Sequence, residues 1–284
     1  MSGLAICLAP PGRAEPRLDL LSEFTWELSE PWFGGFSALE VTGDGATFIA
    51  ISDRATVVEG RFRREEDVIV AVDLLSIGPL RDAGGTPLRD GRGDAEGLAV
   101  SASGRAYLSF ENKHRVTRLD PAAGTTEDLP GHADFAGFSH NTGLEALAVH
   151  PDGSLFALSE AKAGDDGRTP LYRQGPEGWQ IAEHIPLPGP FVPVGADFDE
   201  EGRLYLLERA LSPLGFRSRI RRVDLSHTPV RVEVLLSTIP GAFDNLEALS
   251  VWRDPEGKTR LVMISDDNFL PVQRTQIVEY RVSE

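Results

Sequence analysis

Residues 143–160 read GLEALAVHPDGSLFALSE: a glutamate near each end, two apolar runs and a Gly-bearing turn between them. Two short apolar runs joined by a tight turn form the pattern of a β-hairpin. The stretch has relatives along the chain. AEGLAVSASGRAYLSFE (95–111) and LEALSVWRDPEGKTRLVMISDD (246–267) repeat the order acid, strand, turn, strand, acid, and FSALEVTGDGATFIAISD (36–53) and PVGADFDEEGRLYLLE (193–208) are looser copies. Their turn glycines, Gly45, Gly104, Gly153, Gly202 and Gly257, are separated by 59, 49, 49 and 55 residues. That period suits one four-stranded propeller blade per copy, and no helical periodicity points to a solenoid.

Further strand-like runs follow each copy: TVVEGRFR and DVIVAVDLL after the first, RVTRLD after the second, PLYRQ and WQIAEHIPL after the third, IRRVDL and RVEVLLS after the fourth. The fifth copy is followed only by QIVEYRV, while LDLLSEFTWEL (18–28) precedes the first copy and has no local partner. Lending that strand to the last sheet closes the ring and covers an edge otherwise free to pair with another chain. The expected fold is all-β: a single β-propeller of five four-stranded blades closed by an N-terminal strand. Six blades is the alternative if residues 60–93 hide a further sheet.

Composition agrees with many turns and short strands. The 284 residues include 29 Gly and 20 Pro but only 2 Met, with 41% apolar and 25% charged residues, and all-β chains of this length are often one domain. The formal charge of −16 opposes nucleic acid or an anionic membrane surface as a partner and favours cations. The first residues, MSGLAICLAPPGRAEP, are too short an apolar run to span a bilayer, and they resemble the latter half of a secretory signal peptide without its basic start. The organisation read from this is a truncated signal peptide at 1–14 and a propeller at 15–284, in a periplasmic or secreted protein. Cys7 is the single cysteine. If the segment is cleaved, disulfides, a catalytic cysteine and thiolate metal sites are excluded.

The paired acids carry the chemistry. At the open end of a hairpin the first residue of one strand lies beside the last of the next, so Glu145 is expected next to Glu160, Glu96 next to Glu111, and Glu247 next to Asp266. Inner strands of a propeller line its channel, so the pairs are expected to gather at one mouth with Asp53 and Glu208. Like charges opposed in this way cost stability. Two outlets exist: several carboxyls stay protonated, or a hard cation such as Ca²⁺ is held by oxygen ligands, here Glu96, Glu111, Glu145, Glu160, Glu247 and Asp266. A third reading makes the acids strand-end caps that accept backbone N–H bonds. Ser37 and Val194 replace the first Glu in two copies, so the inner ring holds at most three glutamates.

Basic residues follow the closing acids: Arg54 after Asp53, Lys113 and His114 after Glu111, Lys162 after Glu160, Arg209 after Glu208. They read as salt-bridge partners or as the outer shell of an anion site suited to a phosphate ester. His114 and His140 are candidate acids or bases, or plain structural histidines. No G-x-S-x-G, P-loop, G-x-G-x-x-G or H-E-x-x-H motif occurs. GRGD at 91–94 is too short and too common in composition to mark adhesion.

Four segments, GGFSALEVTGDGATFIAISDRATVV (34–58), LRDGRGDAEGLAVSASGRAYLSFEN (88–112), HNTGLEALAVHPDGSLFALSE (140–160) and FDNLEALSVWRDPEGKTRLVMISDDNFLPVQRTQIVEY (243–280), resemble the bacterial phytase-like family, described by an esterase-like activity of phytase. The resemblance runs from about Gly34 to Glu279, with SDDNF and QRT its most specific part. It implies an exported β-propeller and hydrolysis of phosphate or related esters. By position it points to Asp53, Arg54, Asp94, Glu96, Glu145, Glu160, Asn245, Glu247, Asp266, Asp267, Asn268 and Arg274. The roles expected are catalysis by Asp53, Arg54, His114 and Arg274, and contact with a small anionic ester by Lys113, Lys162, Arg209, Asn245 and Asn268. The fourth copy departs most, which argues against ligands drawn symmetrically from every blade. A non-catalytic propeller binding a ligand or protein in the cell envelope, and a lactonase-like metal-dependent hydrolase, are the competing readings.

Overall fold

Each copy of the repeat folds as the two inner strands of a sheet, because its turn glycine takes a left-handed conformation that side chains resist. Gly45, Gly104, Gly153, Gly202 and Gly257 have φ of 68°, 79°, 86°, 76° and 75°. Each donates its N–H to the carbonyl three residues earlier, on Thr42, Ser101, His150, Asp199 and Asp254. A computed structural model describes residues 16–89, 91–139, 142–161 and 164–284. The segment expected as a signal peptide lies outside the described residues. Among them, no helix is long and apolar enough to cross a membrane.

The strands run β1 (Arg17–Thr25), then β2 (Phe36–Val41), β3 (Thr47–Ser52), β4 (Thr56–Glu65) and β5 (Val68–Pro79) in blade one. Blade two holds β6 (Ala95–Val100), β7 (Ala106–Phe110), β8 (Arg115–Asp120) and β9 (Thr125–Asp128). Blade three holds β10 (Leu144–Val149), β11 (Leu155–Ser159), β12 (Arg168–Gly175) and β13 (Gly178–Pro186), and blade four β14 (Val192–Phe198), β15 (Arg203–Ser212), β16 (Gly215–Asp224) and β17 (Arg231–Ser237). Blade five is β18 (Asn245–Arg253), β19 (Thr259–Asp266) and β20 (Gln276–Ser283), with β1 as its outer strand. The five-bladed expectation and the closure by the N-terminal strand both hold. Arg17 pairs with Ser283 and Thr25 with Gln276, so the first and last described strands share one sheet.

Apolar packing fills each gap between neighbouring blades. Ile51, Leu98, Leu108 and Phe110 join blades one and two. Trp26, just past β1, stacks on Phe36 at 5.3 Å and meets Phe48 edge-on, tying the closing strand to blade one. Aromatic contacts of this kind add about 0.5–1.5 kcal/mol each beyond the burial of their area.

A one-residue register slip opens every inner strand. Ala95 pairs with Phe110 and Gly97 with Ser109, which leaves Glu96 as the extra residue of a β-bulge. The same slip falls at Ser37, Glu145, Val194 and Glu247. The bulge is followed each time by a small residue: Ala38, Gly97, Ala146, Gly195 and Ala248. Small size is required. A Cβ on Gly97 would stand 2.7 Å from the Glu145 carbonyl, and one on Gly195 would stand 2.8 Å from the Glu247 carbonyl. The axial cavity between the inner strands is only about 10 Å³, room for about one water molecule.

Gly195→Ala is therefore expected to destabilise the protein by about 1–3 kcal/mol, as overpacking does when backbone blocks relief. A lower urea midpoint with unchanged slope is the result that checks it; an unchanged midpoint would mean that the inner strands have room to part.

Candidate functional site: an acidic channel mouth

Counting outward from the bulges, the residues that face each other at one mouth are Gly35 and Asp53, Asp94 and Glu111, Gly143 and Glu160, Val192 and Arg209, and Asn245 and Asp266. This corrects the expected pairing. Each closing acid lies opposite the residue two positions before the bulge, and not opposite the bulged glutamate, because the extra residue shifts the register. Blade four is corrected further: its member of the ring is Arg209, not Glu208. Alternation along β15 sends Glu208 to the other face, where it is fully buried and bonded to Arg219 and Arg221.

The bulges bring Glu96, Glu145 and Glu247 together with the closing acids. Burial, then repulsion from Glu145, Glu247, Asp94 and Glu111, holds the Glu96 carboxyl well above the usual carboxylate range. Glu145 is raised in the same way by burial and by Glu160, Glu247 and Glu111. Burial pushes Asp53 up to about 7 with help from Asp266 and Asp94. It also raises Asp266 and Glu111 to about 6 and Glu247 to about 8.

Arg209 neutralises one side of this cluster. Its guanidinium bonds Glu160 and Glu247 and donates to Asn245 Oδ1 at 2.8 Å, while Asn245 Nδ2 donates to Glu247 Oε1 at 2.6 Å. Burial opposes its charge, but the carboxylates of Glu247 and Glu160 outweigh that and keep it protonated. Among the described residues, the other side has no such counter-ion. One oxygen each of Asp94, Glu96 and Glu111 lies within 4.8 Å of the other two, and none of these residues forms a salt bridge with a described residue. Asn112 donates to Asp94, and the Gly143 N–H donates to Glu111 at 3.2 Å.

The remaining sequence candidates distribute around the mouth. His114 packs against Gly143, whose added Cβ would come 2.9 Å from its Nδ1, and lies edge-on to Phe138. Lys113 is exposed beside Glu111, to whose carbonyl its N–H donates. Arg54 lies across the face of Phe269. Asn268 is exposed, and its N–H donates to Asp266 at 2.7 Å. Arg274 is exposed, 4.0 Å from Asp244, so its side chain is turned to the rim. Lys162 and His140 lie outside the described residues.

Sequence reading missed Phe269 and the capping role of Asp267. Asp267 accepts from the N–H groups of Gly35 and Phe269, both at 3.0 Å, and from the Thr275 hydroxyl at 3.1 Å. The only sequence signal was the run SDDNF, which carries no periodicity. At the opposite mouth a cavity of about 750 Å³ is floored by Glu40 and Asp197. Both are committed to the fold: Glu40 accepts from Val100 N–H and the Ser250 hydroxyl, each at 2.9 Å, and Asp197 from the N–H groups of Phe198 and Val251 at 2.7 and 2.6 Å.

A sequence model of the family described as Phytase-like, esterase-like activity of phytase, matches residues 31–269. No curated protein matches the chain. Among solved structures, the PQQ-bound aldose sugar dehydrogenase of Streptomyces coelicolor is similar at a TM-score of 0.53 with 15% identity, covering 97% of this chain and 100% of that one. A protein of unknown function from Dyadobacter fermentans has a TM-score of 0.49 and 15% identity over 90% of this chain and 78% of that one. Virginiamycin B lyase of Staphylococcus aureus has a TM-score of 0.41 and 12% identity over 88% and 71%. At 15% identity the likeness to the dehydrogenase is one of fold.

The mouth makes stability depend on pH in a defined direction. Its carboxyls bind protons more tightly folded than unfolded, so they favour the folded state at low pH and that contribution is lost as pH rises through their native values. With chelator present, the melting temperature is expected to fall between about pH 5 and about pH 8, the range set by Asp266 and Glu111 near 6, Asp53 near 7 and Glu247 near 8. Arg209→Leu should steepen the fall. A flat profile in both proteins would show that the carboxyls do not repel one another as their placement implies.

Proposed function

The chain belongs to the Phytase-like family, and from that premise we propose that its acidic mouth is a divalent-cation site of a hydrolase acting on phosphate or related esters. The observation that carries the reading is the convergence of Asp94, Glu96 and Glu111, one oxygen from each within 4.8 Å of the others, with no cationic side chain of a described residue bonded to them. Asp94, Glu96 and Glu111 would hold the ion, with Glu145 alongside. The donor set fits: it is entirely carboxylate oxygen, which suits a hard ion such as Ca²⁺ and not a soft one. Caps account for only part of the ring, since among described residues no backbone N–H is bonded to Glu96 or Glu145.

A bound cation of this kind polarises a phosphoryl or carbonyl oxygen and lowers the pKa of a coordinated water. The chain supplies the rest. Asp53, held near 7 by burial, is able to take or give a proton at neutral pH, as acid–base catalysis requires. Arg209 keeps Glu160 and Glu247 paired, so the negative charge left for a ligand is concentrated on the blade-two side. The N-terminal segment with its signal-peptide character supports export to the periplasm or medium, where weak Ca²⁺ sites are filled.

Ca²⁺ at about 100 times its dissociation constant should stabilise the wild type by about 2.7 kcal/mol, and Glu96→Gln should remove most of that gain. Chelator should abolish hydrolysis of a phosphate monoester, and Ca²⁺ should restore it. Melting curves indifferent to both chelator and Ca²⁺ would overturn the reading in favour of a propeller that only binds.

A further inference from the structure

Two arginines reach the acidic mouth, and the fold treats them differently. Arg209 is consumed by Glu160 and Glu247. Arg54 follows Asp53 directly and its charge acts on that carboxyl, yet its guanidinium forms no salt bridge with a described carboxylate. Its guanidinium carbon lies over the face of Phe269, 3.2 Å from the ring centroid.

Considerable structure is spent on placing that ring. Asn268 and Phe269 are consecutive non-glycine residues in the left-handed region, with φ of 48° and 51°, a conformation that a side chain such as that of Phe269 rarely adopts. Asp266 and Asp267 hold them there by accepting the N–H groups of Asn268 and Phe269. Gly35 makes the space: a Cβ there would come within 2.3 Å of the ring. The turn carrying Arg54 is held in its own right, with Ala55 at a φ of 58° and its Cβ where a side chain on Gly93 would stand 2.6 Å away.

An arginine stacked on an aromatic face keeps its charge and its plane, while its N–H groups point outward in that plane, free for paired bonds to an oxyanion. Without the ring, attraction to Asp53 would draw the guanidinium down onto it, as Glu160 and Glu247 have drawn Arg209. We propose that Phe269 is a positioning residue that presents Arg54 to the anionic phosphoryl oxygens of the substrate, so that the mouth selects charged phosphate esters over neutral esters and lactones. The proposal rests on the reading of the mouth as a cation-dependent hydrolase site. It adds the group that recognises the anion.

Calorimetric titration with Ca²⁺ alone, and then with inorganic phosphate in the presence of Ca²⁺, tests it on the wild type, Arg54→Ala, Phe269→Ala and Phe269→Tyr. Phosphate affinity should fall about 10- to 100-fold in Arg54→Ala, the worth of charge-assisted hydrogen bonds. It should fall about 3- to 30-fold in Phe269→Ala and return in Phe269→Tyr, which keeps the ring. Ca²⁺ affinity should be undiminished throughout. The proposal is overturned if Arg54→Ala binds phosphate as well as the wild type does, or if wild type binds Ca²⁺ but not phosphate. It is also overturned if Phe269→Ala loses Ca²⁺ and phosphate together, because the ring then only supports the loop. Failure of the wild type to bind Ca²⁺ would instead sink the parent reading, and an Arg54-dependent phosphate response would still support the oxyanion site.

Discussion

Five inner strands have to meet around an axis that leaves room for about one water, and most of the molecule follows from how they do so. Backbones that approach this closely tolerate only Ala or Gly facing the neighbour, hence Ala38, Gly97, Ala146, Gly195 and Ala248. Just before the tight zone each strand spends one extra residue on a bulge, which bends the strand and re-aims that residue. Three bulged residues are glutamates. Ring closure and the concentration of negative charge at one mouth therefore come from the same local device.

That charge is costly, and the fold meets the cost unevenly. At the far mouth Glu40 and Asp197 are taken up by N–H groups of the neighbouring blades and act as clasps. At the near mouth Arg209 neutralises the blade-three and blade-five acids, while Asp94, Glu96 and Glu111 on blade two are left facing one another. A surface under selection for stability alone would not retain such an arrangement, since like charges brought together raise the free energy of the folded state. The asymmetry also puts the proposed cation site off the five-fold axis, on the blade-two side.

Much of this was legible in the residues. The period of the turn glycines identified the propeller, because a hairpin turn that needs positive φ demands glycine at a fixed place in every blade. The unpartnered strand at 18–28 announced the closure, because a three-stranded final blade leaves an open edge. Repetition of a Glu at the head of the first strand in three copies gathered Glu96, Glu145 and Glu247 at one end. These are local or periodic signals, set by backbone conformation and strand alternation, and a single sequence carries them.

Register and partner choice were decided only by the tertiary structure. A bulge adds one residue without altering composition or hydropathy, so the sequence alone placed Glu145 opposite Glu160 and put Glu208 where Arg209 stands. The division of the arginines was equally hidden, since Arg54 and Arg209 both follow an acid in sequence and differ only in what lies across the mouth: Phe269 for one, Glu160 and Glu247 for the other. The residues that make up the site come from blades far apart in the chain. Which of their charges cancel is fixed by distances that exist only once the ring has closed.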